Sequence, residues 1–173
     1  MIATILPGSA DFHAVGYNEH KVYKEVATLL EMQNFGGLDA SEHPTAKQLV
    51  QFLQFYSSQN SRIQKPQFHV AISCKGHEMS EQQLLDFAHR YLQEMGYAEP
   101  GQPWLIYSHN DTDNAHLHIV TSRVAPDGRK IQHNHERRRS LTRYSVWTGS
   151  RKQTRTSRPS NSTAFLPSPS SRP

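Results

Sequence analysis

WLIYSHNDTDNAHLHIVTSRV, residues 104–124, reads as two strands around a short polar connection. Trp104–His109 and His116–Val124 carry the apolar residues, and Asn110–Ala115 supplies the Asn, Asp and Thr that suit a turn. Side chains two apart in a strand share a face. His116 and His118 therefore point one way, while Leu117 and Ile119 point to the opposite, helix-covered side. His109 ends the first strand, and the connection brings the chain back beside it. Three imidazoles then converge from rigid elements, with no cysteine near them and no obvious fourth protein ligand. Such a set leaves coordination positions open, as a catalytic metal needs and a closed structural zinc site does not. Asp111 and Asp113 lie between the histidines, where they can orient the rings as hydrogen-bond acceptors. His69, on the polar face of its own strand, reaches the same place if the strands are neighbours.

Working outward, Met1–Leu6 reads as a strand closed by Pro7-Gly8, and Gln67–Ser73 alternates Phe68, Val70 and Ile72 against His69, Ala71 and Ser73. Lys21–Gln33 sets Val22, Val26, Leu29 and Leu30 at helical spacing, which predicts a helix. A second helix is expected over Thr45–Ser58. A third opens at the capping box Ser80-Glu81-Gln82-Gln83 and stops at Gly96. Pro126-Asp127-Gly128 signals a tight turn, with Arg129–His133 returning as a fifth strand. The order β-α-α-β-α-β-β-β predicts an α+β fold, an antiparallel sheet with helices packed on one face.

The 173 residues suit one domain, expected over residues 1–140. Residues 141–173 form a Ser/Pro/Arg-rich tail with too little apolar surface to offset its ordering entropy, and are read as disordered. Six of the 19 basic residues lie after Ser140, where no acid occurs. The first 140 residues thus hold 13 basic against 15 acidic side chains, so the pI of 9.3 is mostly a tail property. Within the body, Arg123, Arg129, Lys130, Arg137, Arg138 and Arg139 still form a local basic strip that can hold a polyanion. No apolar run is long enough to span a membrane, and the N-terminus lacks the basic and apolar regions of a secretory signal. The single cysteine, Cys74, makes a reducing cytoplasm the simplest home. His13, His20, His43, His77, His89, His133 and His135 are read as background.

His109-x-Asp111-x4-His116-x-His118, followed by Ser122-Arg123 and Asp127-Gly128-Arg129, resembles the metal motif of plasmid mobilisation relaxases, within the HUH endonuclease group. MIATILPGSADFHAVGYN resembles that family's first motif, in which a tyrosine soon after the initial strand is the nucleophile. Tyr17 occupies that place, with Tyr23 close behind it. Lys65–Ser73 resembles the second motif, and the resemblance covers about residues 1–139. It implies a five-stranded antiparallel sheet with helices on one face and the DNA site on the other. It also implies nicking of single-stranded DNA at a transfer origin, with the protein left on the 5′ end. A divalent cation, Mg2+ or Mn2+, would sit on His109, His116 and His118, with Asp111 accepting or orienting the phenol proton. Arg123, Arg129, Lys130, Arg137, Arg138 and Arg139 would track phosphates, and accessory mobilisation and coupling proteins would be partners. Relaxases of this kind usually run well past residue 140, so a truncated or frame-shifted copy is one expectation. Two other readings keep the fold. A replication initiator or transposase of the same group would use a tyrosine after the metal motif, where Tyr144 stands alone. A remnant module would bind DNA without cutting it.

Overall fold

Period-two alternation gives the sheet its inner strands, and pairing between distant segments gives the rest. The computed structural model describes residues 2–40, 43–76 and 78–140. The tail from 141 onward, with Tyr144, and His77 lie outside the described residues. Among the described residues five strands form one sheet: β1 (Ile2–Ile5), β2 (Ala27–Gln33), β3 (Gln67–Ser73), β4 (Trp104–His109) and β5 (His116–Ser122). Their order is β1-β3-β5-β4-β2, and each neighbouring pair is antiparallel. Three α-helices accompany them: α1 (His13–Tyr23), α2 (Ala46–Ser57) and α3 (Glu81–Met95). Both α2 and α3 open with complete capping boxes, Thr45 with Gln48 and Ser80 with Gln83, which satisfy otherwise orphaned helix N–H groups.

Each face of the sheet has its own core. Leu84, Ala88 and Leu92 of α3 pack on Phe68, Val70, Ile72, Leu117 and Ile119. Full burial of side chains this size stabilises the fold by roughly 1.5–3 kcal/mol each. On the opposite face, Val15 of α1 and Leu49 and Leu53 of α2 pack against Leu105, Tyr107 and Val120. The helical layer expected behind Leu117 and Ile119 is therefore α3 alone, and α1 and α2 flank the histidine face. They cover the β4 and β5 positions bearing Leu105, Tyr107 and Val120.

Two expected elements differ. No helix runs over Lys21–Gln33: α1 is earlier in the chain, and Ala27–Gln33 is the edge strand β2, paired with β4. Strand pairing overrides the helical propensity of Leu29, Leu30, Glu31 and Met32. Arg129–His133 is not a strand either. It makes only a short hairpin stub, with an isolated bridge between Val124 and Lys130. The turn itself is where expected, with Gly128 at φ 79°, a conformation that costs glycine least.

Candidate active site

The register brings the motif histidines together. His109 on β4 faces His116 on β5, Tyr107 faces His118, and Ala71 of β3 flanks His118 on the other side. One nitrogen from each of His109, His116 and His118 lies within 4.8 Å of the others, so the triad can bind a metal ion. The remaining ring nitrogens are engaged. His116 Nδ1 donates to the Asn114 carbonyl at 2.9 Å, which leaves Nε2 with a lone pair. His118 Nδ1 lies 2.8 Å from Nε2 of His69, so His69 does reach the site, as a partner to a ligand ring. His109 Nε2 lies 2.7 Å from Asn18 Oδ1. Its Nδ1 is buried and has no hydrogen-bond partner among the described residues. A buried polar atom with no partner costs free energy, and a cation at that nitrogen would relieve the cost. On this ground the residues fit a divalent ion.

Helix α1 passes over the triad. The Tyr17 ring centroid is 6.2 Å from that of His109 and 6.4 Å from that of His118, and the ring is half exposed. Tyr23 is 85% exposed at the far end of α1. One turn after Tyr17, Lys21 sets its Nζ 4.9 Å from the Tyr17 ring centroid and forms an ion pair with Asp111. Burial alone would lower the Lys21 amine, but hydrogen bonds with Asp111 and Tyr17 outweigh it and raise it, so the cation persists. The same Lys21 bond holds the Asp111 carboxyl below its ordinary range. Asp111 also lies 3.5 Å from His116 Nε2. Its commitment to Lys21 and its lowered carboxyl make it a weak proton acceptor. Asp113 is exposed in the connecting loop and makes no hydrogen bond to a histidine among the described residues. The Asn114 carbonyl and the Thr112 hydroxyl take the place at His116 expected for it.

Burial lowers His109 to about 4, with the neighbouring His116 and Lys21 charges adding to it. Burial, then the other imidazoles, lowers His118 to about 3. Burial, then His13 and His109, lowers His69 to about 4. The rings are therefore neutral at working pH, the state in which imidazole binds a cation. In the unfolded chain they take up protons near pH 6.5. The unfolded state then binds more protons below that pH, and stability rises with pH wherever that holds. The metal-free protein should keep this contribution above about pH 6.5 and lose it progressively towards about pH 4. Its melting temperature is expected to fall over that window, and less steeply in His69→Gln. Equal slopes in the two proteins would contradict buried neutral rings.

The basic strip is divided. Arg123 is buried, donates to the Gln67 carbonyl and pairs with Glu136 at 2.5 Å, so an acid meets its charge inside the fold, and it also lines the cleft that Lys130 lines. Arg129 pairs with Glu99 and Asp127. Arg139 donates to the Gln132 carbonyl, and Arg137 and Arg138 are exposed. Lys130 lines a cleft of about 430 Å³ with Arg62, Lys65 and His133. That cleft lies beyond Gln67 and Ser122, the end of β3 and β5 away from His116.

Asn18 and Lys21 were missed from sequence. With α1 placed correctly, Tyr17 and Lys21 stand four apart on one helical face, and that spacing was the available signal. His89, read as background, is tied to Glu31 at 2.5 Å on the other side of the molecule's edge strand. The geometry is that of a tyrosine and a lysine over three histidines. A family model described as "Relaxase: MobA/VirD2-like, nuclease domain" matches residues 17–146, more than half of the chain. No curated protein and no solved structure matches it.

Proposed function

This chain belongs to the MobA/VirD2-like relaxase family through its nuclease domain, a family of DNA-nicking enzymes, and on that premise we propose that it nicks single-stranded DNA at a transfer origin by tyrosine transesterification. The observation that carries the reading is Tyr17 of α1 lying beside three histidines that can share one ion. His109 through Nδ1, and His116 and His118 through Nε2, would hold Mg2+ or Mn2+. When bound, that ion supplies positive charge to the non-bridging phosphate oxygens and to the charge that develops on them. Neutral imidazole ligands cancel none of it.

The residues of the chain do the rest. The Tyr17 phenol is half exposed, so water can carry its proton away as the oxygen bonds to phosphorus, and the Lys21 cation stands beside the ring. Asp111 keeps Lys21 in place. The Tyr17 oxygen forms a bond to phosphorus, the bond from phosphorus to the 3′ oxygen breaks, and the departing oxygen takes a proton from water. The product is a 5′-phosphotyrosine and a free 3′-hydroxyl. One phosphodiester replaces another, so religation needs no nucleotide cofactor.

The test is to incubate the protein with Mn2+ and a library of single-stranded oligonucleotides, then to sequence the 5′ ends that remain attached after denaturation. A single recurrent 5′ end on the protein is expected. Attachment that survives full removal of Mn2+, or scattered ends, would overturn the reading.

Phosphate contacts on this reading come from Lys130, with Arg62 and Lys65 around the same cleft, and from the exposed Arg137. Each phosphate contact on a single strand contributes about 0.7 to the slope of log affinity against log salt. Lys65→Ala with Lys130→Ala should lower that slope by about 1.4. Arg129→Ala, whose partners are Glu99 and Asp127, should lower it by less.

A further inference from the structure

Asn18 lies in α1 directly after Tyr17, and it is completely buried. A carboxamide has one end that only accepts hydrogen bonds and one that only donates. Asn18 Nδ2 donates to the Ala14 carbonyl one turn back, at 2.7 Å. Turning the amide over would bring two oxygen acceptors to that separation, so the donor end is fixed there. Oδ1 is then the atom 2.7 Å from His109 Nε2. Because Oδ1 can only accept, Nε2 must carry the imidazole proton. A neutral ring has one such proton, so His109 Nδ1 is left with its lone pair bare. That atom is the buried one without a hydrogen-bond partner, and one Asp111 oxygen lies 4.0 Å from it and 3.5 Å from His116 Nε2, so both nitrogens are turned to the same side.

From this geometry we propose that Asn18 is a positioning residue: it fixes His109 as an Nδ1 donor to the metal and ties the helix that carries Tyr17 to the metal centre. The inference rests on the reading that His109, His116 and His118 hold a cation. The choice of nitrogen matters on its own terms. His116 and His118 would bind through Nε2, each with Nδ1 engaged elsewhere. His109 would bind through the other nitrogen, and without Asn18 nothing among the described residues sets which nitrogen is bare. Loss of such an outer partner typically lowers metal affinity 10- to 100-fold. It would also remove the hydrogen bond that joins the residue after Tyr17 to a ligand ring, while Glu19 of α1 would still accept from Tyr107 of β4.

The experiment compares the wild-type chain with Asn18→Leu and Asn18→Asp. Asp keeps an oxygen facing Nε2 whether it is ionised or protonated towards Ala14, whereas Leu keeps the bulk and no acceptor. Two-bond nitrogen–proton correlation spectra of the metal-free protein report which nitrogen of His109 is protonated. Titration calorimetry with Mn2+ reports affinity. The wild type and Asn18→Asp should show a protonated Nε2, and Asn18→Leu a mixture of tautomers with affinity about 10- to 100-fold weaker. A wild-type His109 protonated on Nδ1 overturns the proposal without reference to any variant, as does Asn18→Leu with unchanged tautomer and affinity. Failure of the wild type to take up Mn2+ would instead sink the metal reading, and the metal-free spectra would still decide whether Asn18 sets the tautomer.

Discussion

Tyr17→Phe is expected to remove the covalent protein–DNA product while leaving the fold intact. The hydroxyl is the nucleophile on this reading, and the Thr112 hydroxyl, which also reaches His116, donates to the Asn114 carbonyl. Loss of a sole nucleophile in other enzymes costs on the order of 10⁴- to 10⁶-fold in rate. The tyrosine ring is half exposed and its neighbours are the faces of His109 and His118, so removing one oxygen leaves packing nearly unchanged. Melting temperature should therefore stay within about 2 °C, since exposed substitutions usually cost less than about 0.5 kcal/mol. Tyr23→Phe is the matched control. That ring is 85% exposed and makes no contact with the histidines among the described residues, so its adduct yield should equal wild type. The measurement is a denaturing gel of end-labelled single-stranded DNA with Mn2+. A Tyr17→Phe protein that still forms the adduct, or a Tyr23→Phe protein that does not, would move the nucleophile elsewhere.

Why the convergence of the three histidines is legible in the sequence, and the placement of Asn18 and Lys21 is not, follows from how the two halves of the sheet are encoded. In β3, β4 and β5 the apolar alternation is strong, and both faces are dictated by it. Phe68, Val70 and Ile72 must go to the α3 side, and that sends His69 to the other. The same parity puts His116 and His118 beside His109, so the triad is legible in the sequence. In α1 and β2 the local signals point the wrong way. Ala27–Gln33 is rich in residues that favour helices, and only its ladder with β4 makes it a strand.

The end of α1 is equally hidden. Val26 N–H bonds to the Lys21 carbonyl and Glu25 N–H to that of Val22, a Schellman closure in which the left-handed residue is Glu25 at φ 59°. Glycine usually fills that position, and at the end of α3 it does, where Gly96 at φ 84° gave the stop away. A glutamate gives no such warning, so nothing local marks where α1 ends or which of its residues face inward. Charge was similarly opaque. A run of basic residues looks the same whether or not an acid meets one of them inside, and Glu136 meets Arg123 there.

His118→Ala is expected to abolish both metal binding and nicking, more completely than loss of any residue that touches the triad from outside. His118 is the middle ring of the cluster. It stacks on His109 at 4.3 Å between centroids, lies 5.5 Å from His116 and bonds to His69 at 2.8 Å. Removing it takes away one of three donors and also the group that His69 orients. Since outer partners alone are worth 10- to 100-fold, Mn2+ affinity should fall by more than about 100-fold, and adduct formation should fall with it. His69→Gln provides the graded comparison, because its amide can still meet His118 Nδ1 and the ligand itself stays. Its loss should lie within the outer-partner range. The sign on stability is opposite in acid. His118 is neutral when folded because burial holds it at about 3, so it opposes folding once the unfolded chain begins to take up protons below about pH 6.5. The metal-free His118→Ala protein should therefore lose less stability than wild type between about pH 6.5 and pH 4, even though it loses the metal at every pH. Calorimetric Mn2+ titration and thermal melts across that range read the two effects separately. A variant that binds Mn2+ as wild type does would remove His118 from the ligand set, whatever happens to nicking.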